Sequence, residues 1–148
     1  MTPALSRFVP IHRLDPAVPL PKYESAGAAG FDLASSVDMT VPPGEVTLVP
    51  TGLIIAVPPG HFLGVFARSS TPLKRGLMVA NGVGVVDEDY SGPGDEIKIE
   101  VFNFTPREVT IARGDRLAQG VFIPYMRAQW QETATPKRAT RGGFGATG

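Results

Sequence analysis

The sequence predicts an all-β domain, and two observations carry that prediction. Seventeen glycines and fifteen prolines are spread through 148 residues, so the longest stretches free of both span only 11 residues, at 31–41, 95–105 and 125–135. An internal proline or glycine costs a helix about 1–3 kcal/mol, which leaves no room for a long one. Between these breakers lie short apolar or alternating runs, the pattern of strands joined by tight turns. At 43% hydrophobic and 19% charged residues, the chain has enough apolar surface to build one core.

Composition also narrows the function. Lysine plus arginine balance aspartate plus glutamate at 14 each, so wholesale electrostatic binding to nucleic acid is not expected. No cysteine is present, which excludes disulfides and thiolate metal sites and suits a reducing interior. Residues 1–20 contain no apolar run of signal-peptide length, and no later run could span a bilayer. The expectation is a soluble, cytoplasmic protein with no membrane partner.

Taken in order, Phe8-Val9-Pro10-Ile11 reads as an edge strand, where proline is tolerated. The small residues Ala26-Gly27-Ala28-Ala29-Gly30 permit close backbone approach before the strand at Phe31-Asp32-Leu33. There Asp32 should point away from its apolar neighbours, and on pattern alone it reads equally as a solvent-facing carboxylate. Residues 37–41 and 45–57 read as strands separated by the turn Pro42-Pro43-Gly44. Within the second, residues 53–57 have the character of a strand buried on both faces. Pro58-Pro59-Gly60 ends it, and residues 61–67 form the next strand, with His61 and His12 expected at the surface.

That strand leads into Arg68-Ser69-Ser70-Thr71-Pro72, a guanidinium and three hydroxyls suited to an oxyanion, with a short helix starting at Ser70 or Thr71. Residues 81–92 read as a β-hairpin flooring a ligand pocket. Its apolar run, 83–86, suits a buried strand, and Asp87, Glu88, Asp89 and Tyr90 follow at once. Residues 97–102 alternate as a half-buried strand, with 109–111 as its neighbour. Residues 117–123 form another strand, in which Gln119 is the one internal amide. Residues 125–135 read as a polar strand or extended tail, with Trp130 a candidate interface residue. The division expected is a β domain over 1–135 and a flexible, basic, glycine-rich arm over 136–148.

No Walker loop, dinucleotide fingerprint, zinc set or nucleophile elbow is present. Scattered carboxylates, an arginine–serine cluster, a basic tail and aromatic rings suit metal-assisted hydrolysis of a nucleotide by water, with magnesium the natural partner of triphosphate oxygens.

The order of these pieces resembles the trimeric deoxyuridine triphosphatases, the dUTPases, over nearly the whole chain. Five segments match in sequence: residues 26–33, Arg68-Ser69-Ser70, residues 81–92, residues 113–119 and residues 142–148. The resemblance implies a distorted jelly-roll-like β-barrel with a C-terminal arm, a homotrimer with sites shared between subunits, and Mg2+-assisted cleavage of dUTP to dUMP and pyrophosphate.

By that likeness Asp87 is the base holding the attacking water, Tyr90 packs under the deoxyribose, and Asn81 with the backbone of Gly84, Val85, Val86 and Asp87 meets the uracil. Arg68, Ser69, Ser70 and Gln119 hold phosphates, and Asp32 supports the magnesium region through water. From the arm, Phe144 caps the uracil within the motif that includes Gly145, and Arg138 or Arg141 meets the γ-phosphate, Arg138 lying nearer the usual spacing. Glu88 and Asp89 are left as structural or solvent-facing. The return at 91–96 is longer than usual, which leaves a role for Lys98 open. A dCTP deaminase using Glu100, and a non-catalytic binding module on the same fold, are the rival readings.

Overall fold

The computed structural model describes residues 7–145; the first six residues and the last three, which end the segment 142–148, lie outside it. The fold is all-β apart from one short helix, and its architecture is jelly-roll-like. In order, the strands are β1 (Ile11–Arg13), β2 (Phe31–Ala34), β3 (Met39–Val41), β4 (Val46–Pro50), β5 (Leu53–Ile55) and β6 (His61–Ala67). After helix α1 (Ser70–Arg75) come β7 (Leu77–Val79), β8 (Gly84–Val86), β9 (Lys98–Asn103), β10 (Val109–Ile111) and β11 (Arg116–Pro124).

They form four antiparallel sheets, β1-β5, β10-β3, β2-β11-β6-β8 and β4-β9-β7. Period-2 alternation sends Phe31 and Leu33 of β2, and Ile99 and Val101 of β9, into one core with Leu63, Leu77, Ile111 and Leu117. Each such side chain contributes about 1.5–3 kcal/mol when fully buried. Two strand glycines, which cost roughly 0.5–1 kcal/mol each, serve that packing. A Cβ at Gly120 would stand 2.6 Å from the Phe31 ring, and one at Gly64 would stand 2.5 Å from that of Phe66.

Several sequence expectations hold: the strand at 61–67, the helix from Ser70, the half-buried alternation of β9 and the exposed His12. Others are corrected. The N-terminal strand lies at Ile11–Arg13 and not at 8–11, because its pairing register is set by β5, with Ile11 opposite Ile55. The run 45–57 is broken into β4 and β5 at Thr51 and Gly52. Gly52 has φ 71°, open to glycine alone at little cost, and a Cβ there would meet Val18 at 2.8 Å. Across the break Thr51 Oγ1 donates to Ile97 O at 2.6 Å, and Gly52 N donates to Glu96 Oε1 at 2.8 Å.

Residues 109–111 pair with β3 and not with β9, since the turn after β9 carries the chain into another sheet. The stretch 81–92 is no hairpin by pairing: β7 joins β9 while β8 joins β6, so the turn at Asn81 and Gly82 crosses between sheets. Of its apolar run only Val86 is buried, because β8 is a sheet edge and Val83 and Val85 face outward. Residues 125–135 are irregular and exposed, with Trp130 at 94% exposure.

Candidate functional site

Two groups of polar side chains stand at opposite ends of β6. The first gathers at the end of the β2-β11-β6 face. Asp32 on β2 lies directly across from Gln119 on β11, which in turn faces Phe66 on β6. The Asp32 carboxylate is only 14% exposed and binds two guanidinium groups: Arg68 Nε at 2.9 Å from Oδ1, and Arg116 Nη1 at 3.0 Å from Oδ2. Arg116 Nη1 also reaches Glu24 Oε1 at 2.9 Å. The solvent-facing reading of Asp32 therefore gives way to an anchoring one. Its charge holds both guanidinium groups in fixed orientation while each keeps further N–H donors for an anion.

Gln119 is half-buried and donates from Nε2 to Ala67 O at 3.1 Å, beside Arg68. Gly30 makes this possible, since a Cβ there would lie 2.9 Å from Gln119 Oε1. The small-residue segment 26–30 thus has a concrete use in this fold. Ser69 caps α1 in position but makes no side-chain capping bond. Thr71 instead ties the start of α1 to the chain on both sides: its buried hydroxyl accepts from Arg68 N at 3.1 Å and donates to Leu117 O at 2.7 Å. Ser69 is exposed and Ser70 half-buried beside Arg68.

The second group follows β8. Gly84, Val85 and Val86 pair with Val65, Gly64 and Leu63 on one side. The other side of β8 is the edge of its sheet. Asn81 lies over this edge, its Nδ2 3.7 Å from where a Cβ on Gly84 would stand. Asp87 is exposed at the end of the strand and begins a turn in which Tyr90 N donates to Asp87 O at 3.2 Å. Tyr90 is partly exposed, its hydroxyl 3.4 Å from Glu96 O.

Glu88 is engaged and not merely solvated: Gly60 N donates to its Oε2 at 2.8 Å and Tyr125 Oη to its Oε1 at 2.9 Å. The tyrosine hydroxyl first, and the Gly60 amide second, hold the Glu88 carboxyl below its ordinary value, and the same bond raises the Tyr125 phenol.

These two groups do not meet within one chain. Val86 pairs with Leu63, so Asp87 leaves the sheet about level with Phe62, whereas Arg68 continues the far end of β6. Six residues of strand put them about 20 Å apart along β6. Arg138, Phe144 and Gly145 are all exposed, and Phe144 adopts φ 44°, uncommon for a residue with a side chain. Glu100, the residue of the deaminase reading, lies half-buried in the β4-β9-β7 sheet opposite Leu48, on a different sheet from Arg68. Sequence reading gave no role to Arg116 or Glu24, and it read Thr71 as one of three oxyanion hydroxyls where the structure buries it against Leu117. Arg116 carried a signal, as the second arginine of Arg113-Gly114-Asp115-Arg116.

An all-β scaffold with two arginines held by Asp32 at one end of a sheet, and an open strand edge ending in carboxylates at the other, has donors suited to a phosphate-bearing ligand. Comparison with known proteins fixes the family. A model of the dUTPase family matches residues 17–148. A deoxyuridine 5'-triphosphate nucleotidohydrolase of Desulfitobacterium hafniense is 44% identical over 145 residues, covering 92% of this chain and 91% of that one. The enzyme of the same name from Desulfotalea psychrophila is 41% identical over 133 residues, 87% of each chain. The crystal structure of dUTPase from Streptococcus mutans superposes with a TM-score of 0.76 at 36% identity, covering 84% of this chain and 100% of that one. The chain belongs to the dUTPase family.

Proposed function

We propose that the chain hydrolyses dUTP with Asp87 as the base, at sites assembled between the subunits of a homotrimer. The activity itself, cleavage of dUTP to dUMP and pyrophosphate, follows from family membership. It removes dUTP from the nucleotide pool and supplies dUMP, work done in the cytoplasm on this reading. Asp87 accepts a proton from a water whose oxygen bonds to the α-phosphorus. The bond from that phosphorus to the α,β-bridging oxygen breaks, and pyrophosphate leaves with the electron pair.

Arg68, Ser69, Ser70 and Gln119 hold the phosphates. The outer edge of β8 offers backbone donors and acceptors to the uracil as an added strand would, helped by Asn81. Tyr90 packs against the sugar, and Arg138, Phe144 and Gly145 close over the site from an arm.

The donor chemistry fits Mg2+ arriving with the triphosphate. Among the described residues no cluster of three metal-ligating side chains exists. Both oxygens of Asp32 are already engaged by arginines. Asp32 therefore suits an outer contact through water to an ion held by phosphate oxygens, the mode magnesium prefers. When bound, the ion neutralises phosphate charge.

The observation that carries the shared site is the separation of about 20 Å along β6 between Asp87 and the Arg68 cluster. A single chain cannot apply both to one triphosphate, and a second copy can bring them together. The test is complementation. Asp87→Asn and Arg68→Ala are each expected to lose at least about 100-fold in kcat/KM. Refolded together at equal amounts, they should regain about a quarter of wild-type activity, since one interface in about four then carries both native residues. Activity no higher than that of either parent sinks the shared site, and an active Asp87→Asn sinks the base.

A further inference from the structure

We propose that Glu88 is a positioning residue that ties the loop carrying Asp87 to the root of the C-terminal arm. The inference rests on the reading of Asp87 as the base. One carboxylate joins three separate pieces of chain: its own loop after β8, the Gly60 turn before β6, and Tyr125, which directly follows the last residue of β11. Tyr125 N donates to Gly60 O at 3.1 Å, which closes the contacts into a ring. Each partner is itself constrained. Gly60 sits in a turn with φ 75° behind two prolines, and Tyr125 is held by the β11–β6 ladder, where Pro124 pairs with His61.

Besides Glu88, the Asp87 loop is held by the short edge strand β8, by its own turn and, three residues on, by the Tyr90 hydroxyl 3.4 Å from Glu96 O. Glu88 supplies a fixed strut one residue from the reacting carboxylate. Hydrogen bonds at an exposed position contribute little to global stability. A displacement of the base by about 1 Å, in contrast, can cost about 100-fold in rate. The two effects separate in experiment.

Full-length enzyme is assayed with dUTP and Mg2+ alongside thermal unfolding. Glu88→Ala should lower kcat about tenfold or more while KM stays within about twofold, because uracil binding lies with β8. Its Tm should move by no more than about 2 °C. Tyr125→Phe should lower kcat less, and adding it to Glu88→Ala should cost nothing further, the non-additivity expected of partners in one contact. Glu88→Gln should recover most of the rate, since its carbonyl oxygen accepts from Gly60 N–H and its amide donates to the Tyr125 oxygen.

Wild-type kcat in Glu88→Ala overturns the proposal. So does a loss that Gln fails to rescue, or additive losses in the double variant. Asp87→Asn run in parallel separates the two readings. If it is inactive while Glu88→Ala is normal, only the role of Glu88 fails; if it is active, both fail.

Discussion

Asn103 illustrates how much one side chain does at the end of a strand. It is fully buried at the end of β9, and its amide makes four hydrogen bonds. Nδ2 donates to Val41 O and Arg107 O, while Oδ1 accepts from the backbone N–H and hydroxyl of Thr105. These bonds turn the chain out of the β4-β9-β7 sheet and toward β3. Asn103→Ala leaves buried backbone acceptors unpaired, and a loss of about 2–4 kcal/mol is expected, read as a lower urea midpoint. From sequence Asn103 fell just past the strand at 97–102, as the first residue of the connection to 109–111, because its partners lie in segments that only the fold brings close. Asp32 was ambiguous for the same reason. Alternation gave its face, but the two arginines it anchors come from β11 and the short link between β6 and α1.

Among the elements, the turn before β11 shows how charge fixes geometry. Asp115 Oδ2 accepts from Arg75 Nη1 at 2.7 Å and from Ala112 N at 2.9 Å, tying the end of α1 to the β10–β11 turn. The Arg75 hydrogen bond is the main reason the Asp115 carboxyl lies below its ordinary value. A carboxyl depressed by folding binds protons less tightly in the folded chain than in the unfolded one. Its contribution is therefore present above the unfolded value, about 3.9, and is lost as pH falls through the lower folded value. Asp115→Asn should cost about 1 kcal/mol at neutral pH. Its stability should converge on that of wild type as pH falls through that lower folded value, a curve traced by urea unfolding across pH. The strands themselves were largely legible, since alternation and Pro/Gly punctuation mark them directly. Their pairing was not. Residues 81–92 carry hairpin residues, yet the turn at Asn81 and Gly82 joins two sheets, a choice set by the β6 and β9 edges on either side.

For the whole molecule, the five ordered segments already pointed to the family, and the proposed sharing of sites between subunits belongs to the same scale. Regular strand structure ends at Pro124, and the following residues up to 145 are exposed. Twenty extended residues reach about 65 Å, ample to serve a neighbouring subunit. Deleting residues 138–148 should leave Tm within about 2 °C and the oligomer unchanged by sedimentation, because residues 138–145 are exposed. Turnover of dUTP should fall by about 100-fold or more with the closing arm gone. Retained turnover would separate the arm from catalysis.

The irregular stretch between β11 and the arm carries the chain's one tryptophan, Trp130, nearly bare to solvent. Indole emission from this protein therefore has no background from the strands. Every photon reports the surroundings of a single ring, five residues beyond the Glu88–Tyr125 contact. A blue shift on mixing with a non-hydrolysable substrate analogue registers burial of that ring, and a stopped-flow trace times it without any label. An unpacked side chain thus gives the enzyme a built-in optical gauge for the proposed closure of its tail.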